Sequence, residues 1–145
     1  MLNLEKNFFK KRILIYGLGK SGLSAYSILK KSNVISLFDD RIIAKKKIKD
    51  TYTTYKEITK KEFDCIIISP GIDINKCKLS RFLKKNYKKI YTDLDIFFTH
   101  YKKNNKITIT GTNGKSTTAK ILYEVLKDQK VDVRLVGNIG NPILL

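Results

Sequence analysis

The chain has 145 residues, 30 Lys and Arg against 13 Asp and Glu, and a formal net charge of +17. That length allows one domain with a sizeable core, or one domain and the opening of another. One histidine, His100, and two cysteines without a CxxC spacing, Cys65 and Cys77, argue against a zinc site or a disulfide framework.

The basic residues are spread over Lys45 to Lys49, Lys60 and Lys61, Lys84 to Lys89 and Lys102 to Lys106, with no basic helix or tail. Such scatter reads as solvated faces rather than a nucleic-acid surface, so no nucleic acid is expected as a partner. No apolar run approaches a membrane span, and Met1 to Lys6 lack the apolar centre of a signal peptide. A cytoplasmic protein without membrane contact is the expectation.

In chain order, the apolar run Lys11 to Tyr16 ends at Gly17-Leu18-Gly19-Lys20-Ser21-Gly22, and Leu23 to Leu29 continue with helical spacing. Val34 to Phe38 supply the next strand, ending at Asp39-Asp40-Arg41, which completes a βαβ unit of a parallel sheet. A basic stretch, 42–49, is expected to be helical. Phe63 to Ile68 form another buried strand that stops at Ser69-Pro70-Gly71-Ile72, the kind of strand end where open α/β sheets place ligand-contacting turns. Leu79 to Leu83 read as helix and Lys89 to Tyr91 as a short strand, and Thr92 is placed to cap a helix running through Phe98.

Lys102 to Lys106 are polar and lack apolar periodicity, so a boundary falls there: residues 1–104 form one domain and 105–145 begin another. The alternating run Ile107 to Thr110 then enters Gly111-Thr112-Asn113-Gly114-Lys115-Ser116-Thr117-Thr118 and opens into the helix-compatible segment Ala119 to Leu126. Strand, glycine turn, Lys-Ser and helix together make a phosphate-binding loop. Glycines let successive backbone N–H groups turn inward around phosphate oxygens, and the helix N-terminus adds partial positive charge. Lys115 would reach the outer phosphates and the Ser116 hydroxyl would ligate Mg²⁺. The spacing departs from the strict Walker pattern, because Ile109 stands where that pattern wants glycine. An ordinary glycine turn capped by Ser or Thr is the plainer alternative. Val131 to Val136 alternate as a strand before Gly137-Asn138-Ile139-Gly140.

Thr110 to Thr118 resemble the ATP loop of the Mur ligases, the ATP-dependent amino-acid-adding enzymes of peptidoglycan synthesis, whose loops carry this shortened, Asn-containing form. The Gly17 turn with Leu23-Ser24-Ala25, Asp39-Asp40-Arg41, Ser69 to Ile72, Asp93 to Phe97 and Gly137 to Gly140 narrow the resemblance to one branch of that family. Asp95 departs from it mildly, since the family usually has Glu there.

The resemblance implies an α/β fold, with a Rossmann-like parallel-sheet domain followed by the truncated start of the P-loop ATPase (central) domain. It implies UDP-N-acetylmuramoyl-L-alanine and D-glutamate as substrates, ATP and Mg²⁺ as cofactors, a ligase that works through an acyl phosphate, and a monomer for the full-length enzyme. Lys20, Ser21, Asp39, Asp40 and Arg41 would hold uridine, and Ser69, Pro70 and Gly71 would approach the diphosphate and muramoyl portion. Gly111, Thr112, Asn113, Gly114, Lys115, Ser116 and Thr117 would bind ATP, with Lys115 catalytic and Ser116 a metal ligand, and Asn138 would face the substrate. A P-loop strand, its helix and one further strand do not make a whole nucleotide-binding domain, so a fragment or a prematurely ended product, inactive by itself, is expected. Residues 105–145 are expected to pack poorly.

Two other readings stay open. GxGxxG with Asp39 or Asp40 about twenty residues on also fits an NAD-dependent oxidoreductase, and the chain could be a non-catalytic UDP-sugar-binding module. Asp39 could also merely end a strand, Arg41 could be solvated, and Asn138 could be a turn residue.

Overall fold

The computed structural model describes residues 8–41, 52–137 and 142–144. The chain divides into two compact units, Met1–Lys102 and Lys103–Ile143.

Four short strands build the first unit: β1 (Arg12–Tyr16), β2 (Val34–Phe38), β3 (Cys65–Ile68) and β4 (Ile90–Tyr91). All pair in parallel, in the order β2-β1-β3-β4. Parallel strands need crossovers, which α1 (Lys20–Leu29), α2 (Tyr55–Lys60) and α3 (Ser80–Lys85) supply, and α4 (Asp93–His100) follows β4. The strands are legible as mostly apolar runs because a central parallel strand is covered on both faces. Ile13, Leu14, Ile15 and Tyr16 are all fully buried. Each such aliphatic side chain contributes about 1.5–3 kcal/mol through burial.

Strand alternation sorts these residues to two layers. Leu14, Tyr16, Ile66 and Ile68 join Ile58 of α2 and Leu83 of α3 in one core cluster. Ile13, Ile15, Cys65 and Ile67 point to the opposite face, and α1 packs on β1, β3 and α4.

Helix α2 lies in a stretch without a helix expectation. Thr54 and Glu57 build a capping box there: Thr54 N–H donates to Glu57 Oε2 at 2.7 Å and Glu57 N–H donates to Thr54 Oγ1 at 3.3 Å. Thr92 caps α4 as its sequence suggested, giving both its N–H (2.7 Å) and its hydroxyl (2.9 Å) to Asp95 Oδ2. Asp95 thus does the work that Glu usually does at this capping position. The helix expected over 42–49 lies outside the described residues.

The second unit holds α5 (Lys115–Asp128), a helix of 14 residues with no buried side chain. Its start is several residues earlier than apolar spacing alone indicated, because the loop's Lys115 and Ser116 already lie in the first turn. The two strands expected to flank it do not form. Residues 105–110 carry no ladder hydrogen bonds, and over 131–136 only an isolated bridge residue, Val136, occurs. Alternation specifies a strand only when a partner strand accepts its backbone N–H and C=O groups. Among the described residues, neither segment has one. Ile107 and Ile121 are accordingly 66% and 60% exposed. No helix among the described residues is long and apolar enough to cross a membrane.

Candidate nucleotide-binding sites

In the first unit the chain leaves β1, crosses to β2 on one side, then returns past β1 to β3 on the other. That reversal makes the carboxyl ends of β1 and β3 the topological switch point, where open α/β sheets hold ligands. The β1–β3 register ends with Tyr16 opposite Ile68, so the next residues, Gly17 and Ser69, meet side by side. Ser69 N–H donates to Tyr16 O (3.0 Å) and Ser69 Oγ donates to Gly17 O (2.7 Å). Gly17 sits at φ +91°, and a Cβ on it would lie 2.8 Å from that of Ser69. Glycine is therefore required here for both its backbone angle and its size.

Gly22 has a different reason to be glycine. A Cβ there would fall 1.9 Å from Gly17 O, because the first turn of α1 lies directly on the β1 turn. This close approach brings the amino end of α1, with Lys20 exposed and Ser21 half-buried, to the rim of the sheet. Gly19 forms the N-cap without a side-chain hydrogen bond, so the first-turn N–H groups are left to bind an acceptor from outside the helix.

The two aspartates ending β2 divide their work. Asp39 Oδ2 accepts Leu18 N–H at 2.6 Å and Oδ1 accepts Arg41 N–H at 2.8 Å, so Asp39 ties the glycine turn to the end of β2. Asp40 Oδ2 accepts the Tyr16 hydroxyl at 2.7 Å. Burial, then the hydrogen bond to Asp40, pushes the Tyr16 phenol far above its ordinary range, so it stays a donor. Asp40 Oδ1 is buried and has no hydrogen-bond partner among the described residues. Lys78 Nζ lies 3.4 Å from the Asp40 carbonyl oxygen, and Arg41 is exposed.

One rim thus gathers Lys20, Ser21, Asp39, Asp40, Arg41 and Ser69, with Pro70 and Gly71 exposed in the turn after β3. Sequence reasoning missed Tyr16, which reads simply as a core residue ending β1. It also missed Lys78. The partnership of Tyr16 with Asp40 follows from the β1–β2 register, which sets Tyr16 opposite Phe38.

In the second unit Gly114 takes a left-handed conformation, φ +73°, at the N-cap of α5. Gly111 also has a positive φ, +148°. Lys115 Nζ donates to the carbonyl oxygens of Gly111 and Thr112, the latter at 3.0 Å. The loop and first turn, 111–118, are exposed throughout. Ser116 and Thr117 also line an open depression of about 760 Å³, along α5 with Ile121, Glu124 and Leu135. The segment is thus a glycine turn entering a helix N-terminus, with the Lys115 ammonium held on the carbonyl oxygens of the turn. Asn138 lies outside the described residues, so its expected substrate contact has no structural counterpart here.

A Rossmann-like parallel α/β unit followed by a phosphate-type loop and helix is the class that fold and site define. No family model matches the chain. Curated relatives do, and those named here are UDP-N-acetylmuramoylalanine--D-glutamate ligases. The one from Rickettsia bellii (strain RML369-C) is 33% identical over 140 residues, 93% of this chain and 31% of the relative. That of Wolbachia sp. subsp. Brugia malayi (strain TRS) is 36% identical over 145 residues, 91% and 28% respectively. That of Wolbachia pipientis wMel is 34% identical over 150 residues, 99% and 29%. The chain is a homologue of these ligases over almost all of its own length, and spans about 30% of theirs.

Proposed function

We propose that the chain carries the UDP-substrate platform and the ATP loop of a cytoplasmic ligase that adds D-glutamate to UDP-N-acetylmuramoyl-L-alanine in peptidoglycan synthesis. Residues 1–104 are the uridine-nucleotide domain and 105–145 the opening of the ATP-binding domain. The observation that carries this reading is the rim built by Gly17, Asp39, Asp40 and Ser69 at the switch point, in a chain that also has the Gly111–Thr118 loop.

On this reading Lys20, Ser21 and the N–H groups of the first turn of α1 meet the diphosphate, while Asp40 and Arg41 meet uridine. Ser69, Pro70 and Gly71 border the path toward the muramoyl group, and Asn138 faces the substrate. In the loop, the N–H groups of Thr112 to Thr117 surround the ATP phosphates. Lys115 exchanges its carbonyl partners for phosphate oxygens and neutralises charge as the γ-phosphoryl group moves. The L-alanyl carboxylate takes that group from ATP to give an acyl phosphate and ADP. The D-glutamate amine then attacks the acyl carbon, loses a proton and expels inorganic phosphate. Such transfer depends on positioning and charge neutralisation, which a lysine and oriented backbone dipoles provide.

The loop fits a magnesium–nucleotide complex, because Ser116 follows Lys115 in the exposed first turn of α5. Its hydroxyl would hold Mg²⁺, which would supply neutralisation of phosphate charge. The full-length ligase acts as a monomer, and the 145-residue chain alone binds nucleotides without forming the amide.

The rival with a specific feature in its favour is a nicotinamide-dinucleotide enzyme, through GxGxxG and Asp39. Both Asp39 oxygens already accept backbone N–H groups, at 2.6 and 2.8 Å, which counts against Asp39 as a free ribose acid. Thermal-shift titration separates the readings. UDP raises the melting temperature and NADH does not; stabilisation by NADH with none by UDP would overturn the proposal.

A further inference from the structure

Among the described residues, Asp40 is the acid at the β2 rim with an unpartnered oxygen. Asp39 uses both of its oxygens on backbone N–H groups, whereas Asp40 gives Oδ2 to Tyr16 and leaves Oδ1 buried and unpartnered among the described residues. A buried acceptor without a donor is unfavourable, and more so when it carries charge. A bound group that donated a hydrogen bond to Oδ1 would recover that loss at the moment of binding.

Tyr16 decides where this oxygen sits. Its ring is fully buried on β1, 5.2 Å from the Phe38 ring on β2, so the hydroxyl is held by a packed core position. With Oδ2 fixed at 2.7 Å from that hydroxyl, the carboxylate cannot rotate freely, and Oδ1 keeps one direction. Neither Tyr16 nor this orientation is needed to end a strand.

Resting on the uridine reading above, we propose that Tyr16 is a positioning residue that locks the Asp40 carboxylate so that Oδ1 accepts the imide N3–H of uracil. Uracil carries a donor at N3 and cytosine an acceptor, so a fixed carboxylate oxygen selects the first and repels the second. Tyr16 therefore sets nucleobase selectivity without touching the nucleotide.

The test is calorimetric titration of the whole 145-residue chain with UDP, CDP and 2′-deoxy-UDP, using the unaltered protein, Tyr16→Phe and Asp40→Asn. Phe keeps the ring in the core, and circular dichroism checks that each variant is folded. The unaltered chain should prefer UDP over CDP by about tenfold or more, the scale of one hydrogen bond to a charged group. Tyr16→Phe should reduce that ratio severalfold by weakening UDP alone. In Asp40→Asn the Tyr16 hydroxyl holds the amide oxygen and an N–H₂ replaces Oδ1, so CDP should gain on UDP. Discrimination against 2′-deoxy-UDP should be the same in all three proteins. An unchanged UDP/CDP ratio in a folded Tyr16→Phe chain, or a change seen only with 2′-deoxy-UDP, overturns the proposal while UDP binding stands. Failure of the unaltered chain to bind UDP overturns the uridine reading and this inference with it.

Discussion

Replacing Gly22 by alanine tests whether the close seat of α1 on the β1 turn is what builds the rim. The added Cβ would lie 1.9 Å from Gly17 O, 3.0 Å from Gly17 C and 3.2 Å from Ser69 Oγ. The nearest atoms are backbone, held by the Gly17 N–H bond to Phe38 O and the Ser69 bond to Gly17 O, so α1 has to move instead. Forcing a methyl into a packed contact costs about 1–3 kcal/mol, and a backbone clash this close belongs at the upper end. Alanine returns about 1 kcal/mol of helix propensity. The net loss is about 2 kcal/mol. For a domain of this size it lowers the melting temperature by roughly 8–16 °C. UDP affinity falls as well, because Lys20 and Ser21 move away from Gly17 and Ser69. Gly19→Ala is the control, since a Cβ there meets nothing within 4 Å. The weaker N-cap preference of alanine and the unfolded-state entropy it removes oppose each other, so stability should change by less than about 1 kcal/mol. Thermal unfolding followed by circular dichroism, with UDP titration, reads both effects. If Gly22→Ala melts and binds like Gly19→Ala, α1 is not seated as described and the reasoning fails.

Three further outcomes are expected. Ser69→Ala removes the donor to Gly17 O and should cost about 1 kcal/mol, seen as a fall of roughly 4–8 °C in melting temperature, with weaker UDP binding. Lys115→Ala should abolish ATP binding by calorimetry while leaving UDP affinity within twofold, since among the described residues the hydrogen bonds of its side chain stay within its own loop. Asp64 accepts the Arg12 N–H at 2.7 Å, and that bond, with the nearby charges of Arg12, Lys11 and Lys89, holds its carboxyl below the usual range. The folded chain therefore binds fewer protons there than the unfolded one. Stability from this group is present above about pH 4 and is lost as pH falls through and below that value. Denaturant titrations from pH 5 to pH 2 should show a shallower acid loss for Asp64→Asn than for the unaltered chain; equal slopes would remove the assigned role.

Much of the first unit could be read directly because its strands are short and mostly apolar, and each ends at a turn of distinctive chemistry. Gly17, Asp39 and Ser69 were legible as rim residues for that reason. Their mutual bonds were not, because they depend on register: Gly17 meets Ser69 only because Tyr16 pairs with Ile68. Tyr16 looked like core, and its hydroxyl acquires a second role only when β2 lies alongside. Helix α2 was passed over although Thr54 and Glu57 spell a capping box, since it is only six residues long and buries one side chain, Ile58. In the second unit periodicity misled. Ile107 to Thr110 and Val131 to Val136 alternate, yet among the described residues neither lies beside a partner strand, and they stay irregular.

The central claim is that two anion-holding turns serve different nucleotides, and backbone NMR on the isotopically labelled chain tests it most directly. UDP should shift the amide signals of Gly17 to Ser24, Asp39 to Arg41 and Ser69 to Gly71 while those of Gly111 to Thr118 stay in place, and magnesium–ATP should do the reverse. Perturbation of one and the same turn by both nucleotides, or a first turn that answers only to NADH, would contradict the account.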